Sequence, residues 1–148
     1  MDINNTGFVG KFPQWVKESF KEEYDKKVSI DTAWDTIISE LNKFNESVGE
    51  YIDVSNGEVS ISINDDNCFL KIKDRKLIFK KRPEDLVVTW TWEIGQGVRN
   101  SYTEHIKPIG IENSEYYVIV GSNKLKANDP ALFDAFATTA LIGHISGK

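Results

Sequence analysis

The feature that most constrains this chain is the alternation of apolar and polar residues that begins at Glu58. It is clearest in residues 87–94, "VVTWTWEI", where Val88, Trp90, Trp92 and Ile94 share one parity and two threonines share the other. Successive side chains of a strand point to opposite faces, so this pattern is typical of a sheet with one face on a core and one in water. We therefore predict that both tryptophans point inward and do not form a stacking platform for a ligand.

Turn-forming residues divide residues 58–121 into about six antiparallel strands in a meander. The turn signals are "NDDN" at 64–67, the pair Asp74–Arg75, "PED" at 83–85 and "GQG" at 95–97. Parity places a second set of residues on the inward side of the sheet: Cys68, Leu70, Ile72, Leu77 and Phe79. Residues 115–121, "EYYVIVG", are apolar on both faces and predict either a central strand that is covered on both sides or a strand whose second face is a contact surface.

Helical spacing precedes and follows the strands. Pro13 suits the first turn of one helix, and a second helix is predicted to start after Ser29 or Asp31 and to stop near Gly49. Residues 129–145 predict a last helix that Asp129 caps, apolar nearly all round and therefore buried. The predicted fold class is α+β, with two N-terminal helices, the meander sheet and a buried C-terminal helix packed on the sheet. We expect one domain, 1–148, with helices in 13–49, the sheet in 58–121 and the last helix in 129–145.

Composition limits the function classes. The chain has 148 residues, 40% hydrophobic and 11% aromatic, which supplies a core without a metal or disulfides. The net charge of −5 argues against bulk attraction to nucleic acid or to an anionic membrane. A basic N-terminal region followed by an apolar run is missing, and no apolar stretch is long enough to span a bilayer. We therefore expect a cytoplasmic protein without membrane association.

Residue types that carry chemistry do not form a recognisable motif. His105 follows Glu104 in a strand, so the two side chains point to opposite faces, and His144 lies near the end of the last helix. Neither histidine has a metal-ligand partner at helical spacing, and Cys68 begins an apolar strand face. The "NDDN" turn lacks the calcium-loop pattern, and "GQG" leads into a strand instead of a helix. We expect no enzyme, cofactor or metal, although Glu93, Arg99, Glu104 and His105 lie near one hairpin end.

One hairpin face combines lysines with apolar residues and is the candidate partner-binding site. Its members are Phe69, Lys71, Lys73, Ile78, Lys80 and Arg82. Such a face can contact a nucleic-acid backbone or an acidic protein, and it can also be a solvated face whose lysines prevent edge aggregation. For a net-acidic chain, an acidic protein is the better partner.

The leading interpretation is a non-catalytic, protein-binding accessory factor of the inhibitor, immunity or anti-defence type. Lysine far outnumbers arginine, and such usage is typical of the AT-rich genes of a low-GC bacterium, its phages or its plasmids. The apolar last helix and residues 116–120 also suggest a homodimer. The alternative is a carrier of small apolar ligands, because the order of elements is similar to the helix-grip architecture of START-like and Bet v 1-like domains. That resemblance implies a cavity lined by Trp90, Trp92, Phe133 and Phe136.

Overall fold

A computed structural model describes the backbone of residues 8–142 and the side chains of residues 11–141. Two helices, α1 (Phe8–Ser19) and α2 (Lys21–Val54), precede the sheet. After it come the short helix α3 (Ala131–Ala137) and a π-helical turn (Thr138–Ile142). The strands are β1 (Val59–Ile63), β2 (Asn67–Ile72), β3 (Arg75–Lys81), β4 (Leu86–Gly95), β5 (Val98–Glu112), β6 (Glu115–Val120) and β7 (Asn123–Lys126). The α+β class is confirmed, with seven strands where about six were predicted.

The seven strands form one antiparallel sheet in which every strand lies beside its neighbour in sequence, β1 to β7. The residues of one parity form the buried face, which we call the inner face. Its fully buried members come from five strands: Leu70, Leu77, Val88, Ile106 and Val118. The predicted inward positions Cys68, Leu77 and Phe79 are buried there as well, so alternation identified the core face correctly.

Helix α2 covers the inner face with a single apolar stripe. Its buried residues recur at helical spacing, Ile30, Ala33, Trp34, Ile37 and Leu41. A 34-residue helix with this stripe is long enough to cross the whole sheet, since each residue adds about 1.5 Å. Burial of apolar surface between α2 and the strands is therefore the main source of tertiary stability.

A serine and a glycine fix the point where α2 crosses the sheet. Ser29 Oγ accepts a hydrogen bond from the Gly110 amide (3.1 Å) and lies 3.2 Å from the Gly110 carbonyl, to which it can donate. Gly110 lies at a bulge of β5 with a φ of 114°, a backbone angle that L-residues with a side chain rarely adopt. The bulge turns the Gly110 amide and carbonyl toward the helix, so both are satisfied by one hydroxyl.

The C-terminal helix packs on the same face but is not buried all round. The N-cap residue of α3 is Pro130 instead of the predicted Asp129, whose Oδ1 accepts a hydrogen bond from the Ala131 amide at 2.9 Å just before the helix. Phe133 stacks on Phe79 with ring centroids 5.9 Å apart, and Phe136 meets Phe79 edge to face at 6.1 Å. The opposite side of α3 is exposed because a single sheet face can cover only one side of a helix. The predicted continuation to residue 145, with His144, lies outside the described residues.

The boundary between the first two helices was predicted wrongly. The break falls at Phe20 (φ −119°, ψ 22°), and α2 runs through both Ser29 and Asp31. Ser29 does not act as a cap because its hydroxyl is bonded to Gly110. Pro13 lies inside α1, and α2 passes Gly49 to end at Val54.

Two strand predictions need comment. Strand β6 lies beside the edge strand β7 and only Val118 in it is buried, so it is not covered on both sides, and the alternative of a contact surface on its second face stays a prediction. The turn between β2 and β3 falls on Lys73 and Asp74, since Ile72 is opposite Arg75. Lys73 adopts the left-handed conformation (φ 55°) that this turn requires. Arg75 therefore begins β3 and points to the inner face, where it is 5% exposed.

A pair of adjacent residues tests whether only one face of the sheet is covered. Leu77→Ala removes a fully buried side chain and should lower the free energy of unfolding by about 2–5 kcal/mol. Ile78→Ala, the matched control on the other face, should lower it by about 1 kcal/mol because the Ile78 side chain is half-buried. Urea denaturation of both variants measures the difference, and equal losses would contradict a one-sided sheet.

Candidate protein-interaction surface

The outward-pointing residues of the strands form a second face, which we call the open face. In the part of the chain that the structure describes, α2, α3 and the π-helical turn all pack on the inner face. The open face of β3, β4 and β5 therefore meets solvent, and its middle is a row of threonines. Thr89 Oγ1 lies 3.3 Å from Thr103 Oγ1 across β4 and β5. Such a face is available for contact with another molecule.

Strands β2 and β3 place lysines around two apolar side chains on the open face. Phe69 lies directly opposite Ile78, and Lys71 lies directly opposite Lys76. Lys80 follows Ile78 on the same side of β3 and is exposed. We call Phe69, Lys71, Lys76, Ile78 and Lys80 the lysine patch. Its centre is apolar and half-buried, and its rim is positively charged.

The positive charge of the lysine patch is not balanced within the described residues. Lys71 Nζ donates to the Gly57 carbonyl at 3.1 Å, and Lys76 Nζ lies 4.2 Å from the Phe69 ring centroid. None of its three lysines pairs with a carboxylate there, whereas many other lysines do: Lys21, Lys26, Lys27, Lys43, Lys81, Lys124 and Lys126. Like charges directly opposite each other, as in Lys71 and Lys76, destabilise a sheet by a few tenths to about 1 kcal/mol. The patch therefore concentrates positive charge that no carboxylate of the described residues neutralises.

Four of the six predicted site residues meet in this patch. Lys73 lies in the β2–β3 turn, where its amide donates to the Glu58 carbonyl at 2.6 Å. Arg82 lies after β3, and its guanidinium is bound to Asp85. Lys76 was missed, although it shares the parity of Ile78 and Lys80. If the β2–β3 turn had been predicted one residue nearer the N-terminus, Lys76 would have been assigned to the outward face and Arg75 to the inward face.

Asp85 joins Arg82 and His105 at the end of the open face. Its buried carboxylate accepts two hydrogen bonds from Arg82, at 2.7 and 2.9 Å, and lies 2.9 Å from His105 Nδ1. Hydrogen bonds from Arg82, and then from His105, hold the pKa of Asp85 below its ordinary value although burial opposes this. Sequence reasoning missed this cluster because only the register, with Val87 opposite His105, brings the two segments together. Among the described residues, no hydroxyl or thiol is hydrogen-bonded to the His105 ring. Asp85, Arg82 and His105 together hold the β3–β4 turn against β5, and we call them the Asp85 clamp.

Of the remaining candidate catalytic residues, Glu93 and Arg99 lie directly opposite each other across β4 and β5, and Glu104 does not join them. Glu93 accepts a hydrogen bond from the Gly97 amide at 2.9 Å, while Glu104 points to the inner face opposite Val88. Burial raises the pKa of the Cys68 thiol to about 12, which keeps it protonated. Within residues 11–141, no cluster of three or more histidine, cysteine, aspartate or glutamate side chains could hold a metal.

The two tryptophans lie on the inner face, as predicted, but at the rim of the core. Trp90 contacts Phe136, with ring centroids 5.8 Å apart, and stacks on Tyr102. Trp92 stacks on the other side of Tyr102, and the guanidinium of Arg75 lies 5.1 Å from its ring centroid. Both indoles are half-buried. Of the residues that the helix-grip resemblance predicts to line a ligand cavity, Trp90 and Phe136 contact each other directly. Phe133, another of them, stacks on Phe79.

Comparisons with protein family models, with curated proteins and with solved structures found no match to this chain. Its fold and its surfaces therefore carry the functional argument. Neither α1, α2 nor α3 combines the length and the apolar character that a membrane-spanning helix needs.

The Asp85 clamp should make stability depend on pH. A carboxyl whose folded pKa is depressed contributes stability above its unfolded pKa, about 4, and loses that contribution as the pH falls through the folded pKa. We expect Asp85→Asn to lose about 2 kcal/mol at pH 7 relative to wild type, with the loss shrinking toward pH 2. Urea denaturation across this range measures it.

Asp65→Asn is the matched control, because Asp65 is exposed and makes no side-chain hydrogen bond among the described residues. It should unfold like wild type at every pH. A loss in Asp85→Asn that stays constant down to pH 2 would show that the carboxylate is not what stabilises the turn.

Proposed function

We propose that this protein is a non-catalytic accessory factor that binds an acidic surface of another protein through its lysine patch. The observation that carries the proposal is the gathering of Lys71, Lys76 and Lys80, without carboxylate partners among the described residues, around Phe69 and Ile78. This gathering occurs on a sheet face that α2, α3 and the π-helical turn leave uncovered, in a chain with net charge −5. A complementary acidic partner would supply the missing counter-charges.

The anatomy of the patch favours a protein partner over a nucleic acid. Protein interfaces combine an apolar centre with a polar or charged rim, and Phe69 and Ile78 form such a centre. A single-stranded nucleic acid is bound by aromatic rings on which bases stack. Phe69 is the one aromatic ring of the patch, and the ammonium group of Lys76 already lies over it.

We further propose the type of accessory factor, the kind of genome that encodes it and the compartment in which it acts. Binding to a complementary charged surface is the property that inhibitors and immunity or anti-defence factors need, because they act by occupying a partner. The high ratio of lysine to arginine agrees with a gene of a low-GC bacterium, phage or plasmid. We place the protein in the cytoplasm, where its single cysteine, buried in the core, would have no disulfide role.

Charge reversal tests the proposal. Lys76→Glu/Lys80→Glu changes the net charge by −4, from −5 to −9, and so does the control Lys11→Glu/Lys17→Glu in the exposed helix α1. Poly-L-glutamate serves as the acidic probe in an NMR titration. Wild type and control should show shift changes centred on β2 and β3, and the patch variant should bind about tenfold more weakly. Binding to wild type should weaken as salt is raised.

The same three proteins, used as bait in the source cells, identify the natural partner. A protein captured by wild type and by the α1 control, but not by the patch variant, supports the proposal. Two results would overturn it: equal capture of every protein by all three baits, or patch-dependent binding of a DNA duplex that exceeds binding of poly-L-glutamate.

A further inference from the structure

Strand β1 ends the sheet, and two hydrogen bonds show which of its backbone groups are unpaired. The Lys73 amide donates to the Glu58 carbonyl (2.6 Å), and the Asn64 amide donates to the Asn67 carbonyl (2.7 Å). In an antiparallel ladder, the residues that bond the neighbouring strand alternate with those that point away. Residues 58, 60, 62 and 64 therefore bond β2, and the amides and carbonyls of Val59, Ile61 and Ile63 point away from the sheet.

The β1 edge lacks the features that usually prevent pairing. Edge strands are normally blunted by lysine, proline or a bulge, and the other edge, β7, carries Lys124 and Lys126. The sequence of β1, "VSISI", has no charged residue and no proline, and its pairing with β2 is regular. Only Val59 is closed off, because its amide donates to Ser55 Oγ at 3.1 Å. The groups of Ile61 and Ile63 have no partner among residues 8–142.

We propose that two copies of this chain dimerise by antiparallel pairing of their β1 strands about a two-fold axis at Ser62. Ile61 of each copy then lies opposite Ile63 of the other, and four backbone hydrogen bonds use the groups that the monomer leaves unpaired. The Ser62 side chains face each other across the axis. The strand is complementary to itself, since isoleucine meets isoleucine, serine meets serine, and no charge falls inside the paired segment.

Exposed apolar side chains lie where α2 ends beside this edge. Tyr51 and Val54, in the last turn of α2, are 71% and 73% exposed, and Ile63 is 36% exposed. Helix α2 passes directly into β1 through Ser55, whose hydroxyl bonds both Ile52 and Val59. A second copy along β1 would approach these side chains and cover part of them. A second copy therefore fits the edge better than an isolated extended peptide does.

The dimer would join the open faces of the two copies into one surface. A two-fold axis perpendicular to the sheet keeps both open faces on the same side. Phe69 is opposite Ser62 within each copy, so the two Phe69 residues would be three strand spacings apart, about 14 Å. The two lysine patches would then form one extended basic surface. The pairing itself does not depend on the proposed function.

A cysteine at the axis tests the pairing and its register. In Ser62→Cys, the two Cα atoms would form a non-hydrogen-bonded pair about 4.5 Å apart, within the range of a disulfide. In the matched variant Ser60→Cys, they would be about 13 Å apart along the strands. Cys68 is buried and should not react. Mild oxidation should give a covalent dimer with Ser62→Cys and not with Ser60→Cys.

Sedimentation velocity provides the second measurement on the full chain. Wild type should shift from monomer to dimer with concentration, whereas Ser62→Lys should stay monomeric because two ammonium groups would meet at the axis. Ser101→Lys adds the same charge on exposed β5 and should dimerise like wild type. A wild-type protein that stays monomeric, equal cross-linking at positions 60 and 62, or a dimer that Ser62→Lys leaves unchanged would each overturn the proposal.

Discussion

The burial of one apolar stripe of α2 against one face of the sheet is the interaction on which the rest of the structure depends. The stripe from Ile30 to Leu41 meets the inner residues of the central strands, and Ser29 bonded to Gly110 sets where the helix crosses. One long helix with α3 beside it covers the middle of the inner face of the seven-stranded sheet, while Tyr102 toward one end of that face stays exposed. Since α2, α3 and the π-helical turn lie there, the opposite face needs side chains that tolerate water, and threonine and lysine provide them.

This one-sided arrangement separates the residues that stabilise the protein from those available for contact. The inner face tolerates little change, because Leu77, Val88 and Ile106 are all fully buried. The open face contributes far less burial, so its composition can respond to a partner. Two lysines placed directly opposite each other reduce stability slightly, and a core of this extent can absorb that loss. The lysine patch is therefore easier to explain by binding than by folding.

The sequence predicted correctly the features that depend only on the alternation of residues along a strand. Alternation placed Leu77 and Phe79 inward and Phe69 and Ile78 outward, because the two faces of a strand differ at every residue. It failed where local signals compete with tertiary contacts. Ser29 has the side chain of a helix cap, yet its hydroxyl bonds Gly110, which is 81 residues away. The short polar strand β7 has too weak a pattern to be distinguished from a loop, and its pairing with β6 defines it.

The sequence alone could not predict the candidate site in full, because the site depends on which residues of neighbouring strands lie opposite each other. Parity showed that lysines and apolar residues share a face, but only the register shows that Lys71 faces Lys76 and Phe69 faces Ile78. The same holds for Asp85 and His105, which 20 residues separate in sequence. Charge balance is likewise a property of the folded chain, because the carboxylates that neutralise Lys124 and Lys126 come from β5 and β6. An unbalanced charge can therefore be recognised only after each neighbour is placed, and this is why the lysine patch emerges from the structure more sharply than from the sequence.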